Sequence, residues 1–537
     1  MRAVVPVRER WIGAAIFAAA LTARWHGADS ETYEANADES QLVWDAMSLT
    51  TGDLNPHNFI YPSLVKYVFL AVVRLAAWTG VASGQFPAAA PRAVFFVDPA
   101  WFITACRHSS ALAGAATTWL LFIGARRQWG MRAALFAAAA LLFAPVHIRY
   151  SGLATTDAFL TLWCAAATLA ALRVADGGTR MDSWVCGIFA GLAASSKYTG
   201  AAMAGLLVVA HLLRRKSARW GQDLAIGAVV CAATALATSP FVWLDFTQFK
   251  SDLFVLSGLV QTYPFPDHAG PDLLFYPEQL FRNGLGAGWA LIACGALAAT
   301  VRWGDAAARL AAGTGAGFIL YMSMWRMEAA RYILPAYPGF CLAAGWGLSR
   351  LADRWPLVAW PAATAATVIS IATAATFTWW VAPGGTRTEM RRFIETQVPS
   401  GSFILKGGAD DTCFLPSAEF LRAALAVPQA AGPETRTLIN ARWLRGPLFH
   451  VASPSFHPER YDLSVYAAHL PDYVVFCPWP KSPGLFVPTP DSAPGRFAAQ
   501  LAENGNRIKV VAPSWLHPGP RLELWRLRKK SESDHRS

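Results

Sequence analysis

The sequence predicts a polytopic α-helical membrane protein of about eleven spans, followed by a small C-terminal extracytoplasmic α/β domain. Three observations predict it. The 537 residues are 54% hydrophobic and only 15% charged, with a mean hydropathy of +0.31; a soluble chain of this size carries about 25% charged residues. Basic residues cluster between apolar runs, at Arg126, Arg127 and Arg132, at Arg214, Arg215, Lys216 and Arg219, at Arg302 and Arg309, and at Arg350 and Arg354. That is the positive-inside pattern of cytoplasmic loops. Beyond residue 383 charge returns, and short strand-like runs replace the apolar segments.

The same placement of charge bears on partners. A formal charge of +11 invites a nucleic-acid reading, but it sits in short loops beside membrane segments, so no nucleic-acid partner is expected. The 23 Trp residues suit a chain with many membrane–water boundaries, where indole rings favour the headgroup level.

The first element follows Arg2, Arg8 and Arg10 and covers the apolar stretch Trp11–Ala23. A cleaved signal peptide has this form too; an uncleaved first span is preferred, because the loop after it holds the candidate active residues and needs an anchor. Further apolar runs suited to spanning lie at 104–125, 132–148, 157–174, 183–195, 198–213, 222–240, 285–302, 307–325, 331–349 and 356–381. Some fall short of the ~20 residues a span needs. The pair 183–195 and 198–213 reads as two half-length or broken helices meeting near Lys197.

One more apolar run, 62–80, decides the topology. Counted as a span, it would put every arginine cluster outside. Lys66 and Arg74 lie eight residues apart on one helix face, opposite Val65, Val68, Phe69 and Val72, so the run is expected to lie at the outer membrane surface as an amphipathic helix. The N-terminus and basic clusters are then cytoplasmic. The loops 25–103 and 241–284 and a domain from 383 onward are extracytoplasmic, giving a membrane region 1–382 and a C-terminal region 383–537. In the latter, strands are expected at 402–405, 473–476, 507–511 and 521–525, helices at 387–397 and 417–426, and a frayed polar tail at 529–537. The plasma (inner) membrane is the expected location.

Of eight cysteines, six lie in or beside apolar runs and no two have metal-ligand spacing, so no zinc site is expected. Cys413 and Cys477 lie in the C-terminal region and are compatible with one disulfide or with two buried thiols. No Walker loop, dinucleotide glycine signature or Ser-His-Asp arrangement stands out.

Asp38 and Glu39 are adjacent acids ahead of a helical pattern, Leu42, Val43, Ala46 and Met47, with Gly52 at a helix stop. Alone, the pair reads equally as a solvated helix cap. Its surroundings say more. "NADESQLVWDAMSLTTGDLNPHNFIYPSLVKY" (36–67), "HIRYSGLATTDAFLTLW" (147–163), "AGLAASSKYTG" (190–200), "RYILPAYPG" (331–339), "TRTEMRRFIETQVPSGSFIL" (386–405) and "PGPRLELWRL" (518–527) occur in that order. Together they resemble the lipid-linked glycosyltransferases of the C superfold, which include protein O-mannosyltransferases and aminoarabinose transferases.

The resemblance implies transfer of a sugar from a polyprenyl-phosphate donor to a protein, glycan or lipid acceptor, usually with inversion. Asp38 then matches the family's general base, with Glu39 positioning the acceptor or tuning its neighbour, and Asp157 matches the acidic position of the second loop. Asp157 also opens a span at the membrane boundary, where a carboxylate is either functional or a helix cap beside Thr155 and Thr156. The phosphate leaving group calls for cationic donors: Lys197, Arg331, Arg107 and Lys66 are the candidates, with the Tyr332 hydroxyl beside Arg331. For Lys197 and Arg331 the competing reading is a snorkelling cation. His268, in "PFPDHAGPD", matches a loop where relatives often carry histidine and is a substrate-binding candidate; His57 and His147 are weaker ones. Some relatives use two such acids to hold a divalent metal, while elsewhere in the superfold catalysis is metal-independent, so no resident metal is expected. Aminoarabinose transferases carry lysine before the proline of the surface-helix motif; here Tyr61 precedes Pro62, which argues against an aminoarabinose donor. A transporter or flippase of a lipid-linked intermediate is the alternative, and the lack of a repeat between halves speaks against it. A catalytically inert membrane anchor for the C-terminal domain would leave Asp38 and Asp157 without purpose.

Overall fold

The computed structural model describes residues 7–28, 37–85, 95, 99–214, 218–262, 273–325, 328–381, 385–407, 415, 449–452, 462–477, 493–512 and 521–528. In chain order the main helices are α1 (Val7–Ala28), α2 (Ala37–Ser48), α3 (Leu64–Ala82), α4 (Ala100–Trp129), α5 (Met131–Leu142), α6 (Pro145–Ser151), α7 (Asp157–Ala175), α8 (Arg180–Ser196) and α9 (Ala202–Leu213). They continue as α10 (Trp220–Thr238), α11 (Phe246–Thr262), α12 (Ala287–Trp303), α13 (Ala306–Ser323), α14 (Tyr337–Arg354), α15 (Pro356–Val381), α16 (Thr386–Gln397) and α17 (Ala493–Asn504). Two compact units result. One takes residues 1–28, 53–71 and 106–376; the other takes 29–52, 72–105 and 377–537.

Helix occupies every apolar segment expected from the sequence. Among the described residues four helices are long and apolar enough to cross a membrane: α3, α7, α10 and residues 356–376 of α15. A fifth counts if α5 and α6, bent by 66° at the break between them, form one span. The chain is thus polytopic. α8 and α12 have 17 residues each, under the ~20 of a full span, and α4 carries Arg107, Arg126 and Arg127.

Small residues let the helices of the first unit approach closely. On α8 a Cβ at Gly187 would lie 2.3 Å from the Gly227 carbonyl oxygen, and one at Gly191 would lie 2.5 Å from that of Cys231 on α10. Two glycines one turn apart thus seat α8 on α10, as small residues do between membrane helices. α14 meets α5 likewise, with Gly345 against Ala133 and Ala137.

The α3 helix corrects one sequence expectation. Lys66 is fully buried, whereas Arg74 is exposed, so the two do not share a solvated face. Eight residues at 3.6 per turn leave them about 80° apart, and Lys66 Nζ donates to the Asn58 carbonyl. α3 is also long and apolar enough to span, so length and hydropathy do not separate a spanning helix from a surface one.

The second unit contains a five-stranded sheet, with β1 (Phe403–Gly407), β2 (His450–Ala452), β3 (Tyr473–Phe476), β4 (Gly505–Val511) and β5 (Leu522–Leu527) in spatial order β2-β1-β3-β5-β4. β2, β1 and β3 are parallel, while β5 runs antiparallel to β3 and β4. Alternation splits the strand residues between two faces. Ile404, Tyr473, Val475, Leu522 and Leu524 pack with Met390 and Ile394 of α16; Leu405, Val474, Phe476 and Leu527 pack with Phe497 and Leu501 of α17. All four expected strands are present. β2, three residues long, was not foreseen, and the helix expected at 417–426 and the tail at 529–537 lie outside the described residues. Cys477 is buried, and Cys413, its suggested partner, also lies outside them.

Candidate active site

The first unit brings Asp157 and Lys197 together. α8 ends at Ser196, Lys197 is extended (φ −157°, ψ 141°), and a 3₁₀ turn Tyr198–Ala201 leads into α9. The broken helix expected near Lys197 is therefore observed. Ser196 Oγ donates to the Leu192 carbonyl at 2.9 Å, a local bond of the kind that bends helices. Gly200 then tucks against the preceding helix, where a Cβ would lie 2.2 Å from the Ala193 carbonyl oxygen.

The break points the lysine at the start of α7. Lys197 Nζ donates to Asp157 Oδ1 at 2.8 Å, with side-chain exposures of 11% and 2%. Thr155 Oγ1 donates to Asp157 Oδ2 at 3.3 Å. Thr156, the residue before the helix, makes no side-chain cap, while the Asp157 carboxylate sits where the helix dipole favours negative charge. Two tyrosines flank the ammonium, Tyr332 at 4.7 Å and Tyr61 at 5.9 Å from ring centroid to Nζ. Arg331 and Tyr332 lie in a 3₁₀ segment, Ala330–Ala336, ahead of α14. The Arg331 guanidinium carbon is 5.4 Å from the Tyr332 ring centroid and 5.9 Å from that of Tyr150 on α6.

Residues 53–63 form a strap beside this pair. Tyr198 Oη donates to the Phe59 carbonyl at 2.7 Å, and the Phe59 amide donates to Asp252 Oδ2 at 2.7 Å. Asn55 Nδ2 donates to Asp245 Oδ2 at 2.7 Å, the Ser63 amide to Ser239 Oγ at 3.1 Å, and Lys66 Nζ to the Asn58 carbonyl. His57, at φ +48°, is 2.9 Å from Asp53 and 3.6 Å from Asp245. That hydrogen bond, more than the Asn55 amide, holds the Asp53 carboxyl below its ordinary value of 3.8.

The bend between α5 and α6 has its own fixture. Arg24 is fully buried and donates to the Leu141 carbonyl at 3.1 Å, with His147 Nδ1 2.8 Å from the same guanidinium nitrogen. It satisfies carbonyls that the broken helix leaves open, and the turn that follows carries Tyr150. Tyr150, Tyr198, Asp245, Asp252 and Arg24 were not read as site residues from the sequence. Only Tyr198, adjacent to Lys197, offered a local signal.

Arg107 is fully buried in α4, and His268 lies outside the described residues. In the second unit Asp38 and Glu39 occupy the first turn of α2, Glu39 fully buried and Asp38 half-buried. Leu42, Val43 and Ala46 are the helix's buried face, and Gly52 closes the following turn at φ +103°. Among the described residues no three His, Cys, Asp or Glu side chains are grouped to hold a metal. Asp157 already pairs with a lysine.

Residues 102–244 match the family model of dolichyl-phosphate-mannose-protein mannosyltransferases. Among solved structures, ArnT of Cupriavidus metallidurans bound to undecaprenyl phosphate superposes with a TM-score of 0.55, over 96% of this chain and 98% of that one, at 16% identity. The chain has the C-superfold architecture. The archaeal oligosaccharyltransferase AglB of Archaeoglobus fulgidus, solved with an inhibitory peptide and a dolichol-phosphate, also shares it, with a TM-score of 0.50 over 88% of this chain and 70% of that one, at 12% identity. At these identities the likeness is one of fold. A comparison of the sequence with curated proteins finds no match. The likeness of fold extends along nearly the whole chain, while the family match covers Arg107, Asp157 and Lys197 but neither Asp38 nor Arg331.

Proposed function

We propose that this chain is a glycosyltransferase of the plasma membrane, moving a hexose-like sugar from a polyprenyl-phosphate donor to an acceptor on the outer side, with inversion. One observation carries the reading. A buried Asp157–Lys197 pair, with Tyr332 and Arg331 beside it, lies in a fold shared with proteins solved with undecaprenyl phosphate and dolichol-phosphate bound.

Asp38 takes the proton of the acceptor nucleophile as that atom attacks the anomeric carbon. The bond from that carbon to the phosphate oxygen breaks, and polyprenyl phosphate leaves with the electron pair. Arg331 meets the phosphate, since a planar guanidinium matches its oxygens bidentately, and the Tyr332 hydroxyl adds a donor. Lys197 gives one N–H to Asp157 and keeps two others for the developing charge. Asp157 is then a positioning residue, holding the ammonium where the helix break presents it. Glu39, buried next to Asp38, positions the acceptor or tunes its neighbour. Lys66 serves the strap through Asn58, and Arg107 receives no step.

The test uses purified full-length protein in nanodiscs with labelled polyprenyl-phosphate hexoses and pentoses. The expected result is release of polyprenyl phosphate, reduced by about 10²–10⁴-fold in Asp38→Asn with helicity unchanged. Undiminished transfer in Asp38→Asn would remove the base assignment. Movement of the lipid across the bilayer with no turnover of any donor would favour a flippase.

A further inference from the structure

Away from this site, a trough between α1 and α4 opens along the side of the first unit, with a cavity of about 550 Å³. Gly13, Ala14 and Phe17 of α1 and Trp119, Phe122 and Ile123 of α4 line its apolar part. A Cβ at Gly13 would lie 3.4 Å from both the Trp119 and Phe122 rings, so α1 and α4 approach closely beside the trough and a bulky side chain at this position would crowd it. Its volume falls within the ~300–1,000 Å³ of sites that take one small ligand.

One end of this apolar trough is strongly basic. Glu9 pairs with Arg126 there, tying α1 to α4. Arg10 and Arg127 line the same end and are exposed, and among the described residues neither has a carboxylate within ion-pair distance. A neighbouring apolar helix laid over this end would leave two arginines without counter-charge, which is costly in a membrane. A lipid that combines an acyl chain with an anionic phosphate complements both halves: the chain fills the trough, and the phosphate meets guanidinium groups bidentately.

We infer that the α1–α4 trough is a binding site for an anionic glycerophospholipid of the surrounding bilayer, its headgroup on Arg10 and Arg127. The site is separate from the Asp157–Lys197 pair and does not depend on the glycosyltransferase reading. Because Arg126 and Arg127 head a basic cluster, the positive-inside rule puts the headgroup in the cytoplasmic leaflet.

The experiment is native mass spectrometry of the full chain released from detergent, titrated with phosphatidylglycerol, phosphatidylcholine or inorganic phosphate. Wild type should retain one phosphatidylglycerol in preference to phosphatidylcholine, with inorganic phosphate failing to compete. Arg10→Gln/Arg127→Gln should lose that preference, at about tenfold in affinity for each arginine, and Gly13→Leu should lose the tail's contribution for either lipid. Arg8→Gln, a neighbouring exposed arginine outside the trough, should bind as wild type does. Equal retention of the two lipids by wild type overturns the inference, as does an equal loss in Arg8→Gln. A lipid-free dimer broken by Gly13→Leu also overturns it, because a second copy would then cover the trough.

Discussion

At Lys197 an ammonium group sits 2.8 Å from a carboxylate with almost no solvent around either. Burying both charges costs as much as their attraction returns, so the pair need not stabilise the fold overall, but removing one partner strands the other. Asp157→Asn or Lys197→Met alone should therefore lower stability by about 3–5 kcal/mol, read as a fall in melting temperature by tryptophan fluorescence. The double variant should recover most of that loss while remaining inactive. Single variants that melt like wild type would show that water, not protein, surrounds the pair. Each member was legible in the sequence, because an ionisable residue inside apolar sequence stands out. Their pairing was not, since forty residues separate them and only the helix break aims one at the other. Arg24 shows the converse case. At the end of an apolar stretch it drew no reading from the sequence, and its role as a cap on a bent helix depends on carbonyls more than a hundred positions away.

At the scale of elements, the break after α8 and the strap 53–63 set where the site residues point. Gly200 is the tight spot of the break, and Gly200→Ala drives a methyl group into the Ala193 carbonyl. Overpacking of this kind costs about 1–3 kcal/mol, so a lowered melting temperature and reduced turnover are expected together. Gly205→Ala, on α9 with open space at its Cβ, should change neither. The strap responds to pH at its exposed tip. Asp53 has a depressed carboxyl pKa, so what it contributes is complete above the ordinary value of 3.8 and is lost as pH falls through the lower folded value. Proteolysis within residues 53–58 should accelerate below that range in wild type, whereas Asp53→Asn should show the faster cleavage already at neutral pH. Helices and strands were more legible than these connections. A continuous apolar run marks an α7 or a β3 directly, but the strap's bonds to Asp245, Asp252 and Tyr198 are long-range and leave no pattern in the chain.

For the whole molecule, the side of the membrane that each loop faces turns on α3. Its 19 residues are apolar enough to cross, and the buried Lys66 removes one of the two charges first taken to mark a solvated face. What favours a surface helix is the rest of the chain. If α3 crossed, each basic cluster after it would face outward, against a bias worth several positive residues per loop. The hydrophobic pattern cannot choose between these arrangements, because a helix of this composition satisfies its backbone bonds in either place; charge in neighbouring loops can. Gln85 lies just past the end of α3, with its amide donating to the Gly80 carbonyl at 2.9 Å, so a reporter there reads the sidedness of that end. In a functional background lacking the native cysteines, Gln85→Cys should react with a membrane-impermeant maleimide added to intact cells. Arg302→Cys, in one of the basic clusters, serves as the inward control and should react only after lysis. Labelling of Gln85→Cys only after lysis would make α3 a span and reverse every loop beyond it.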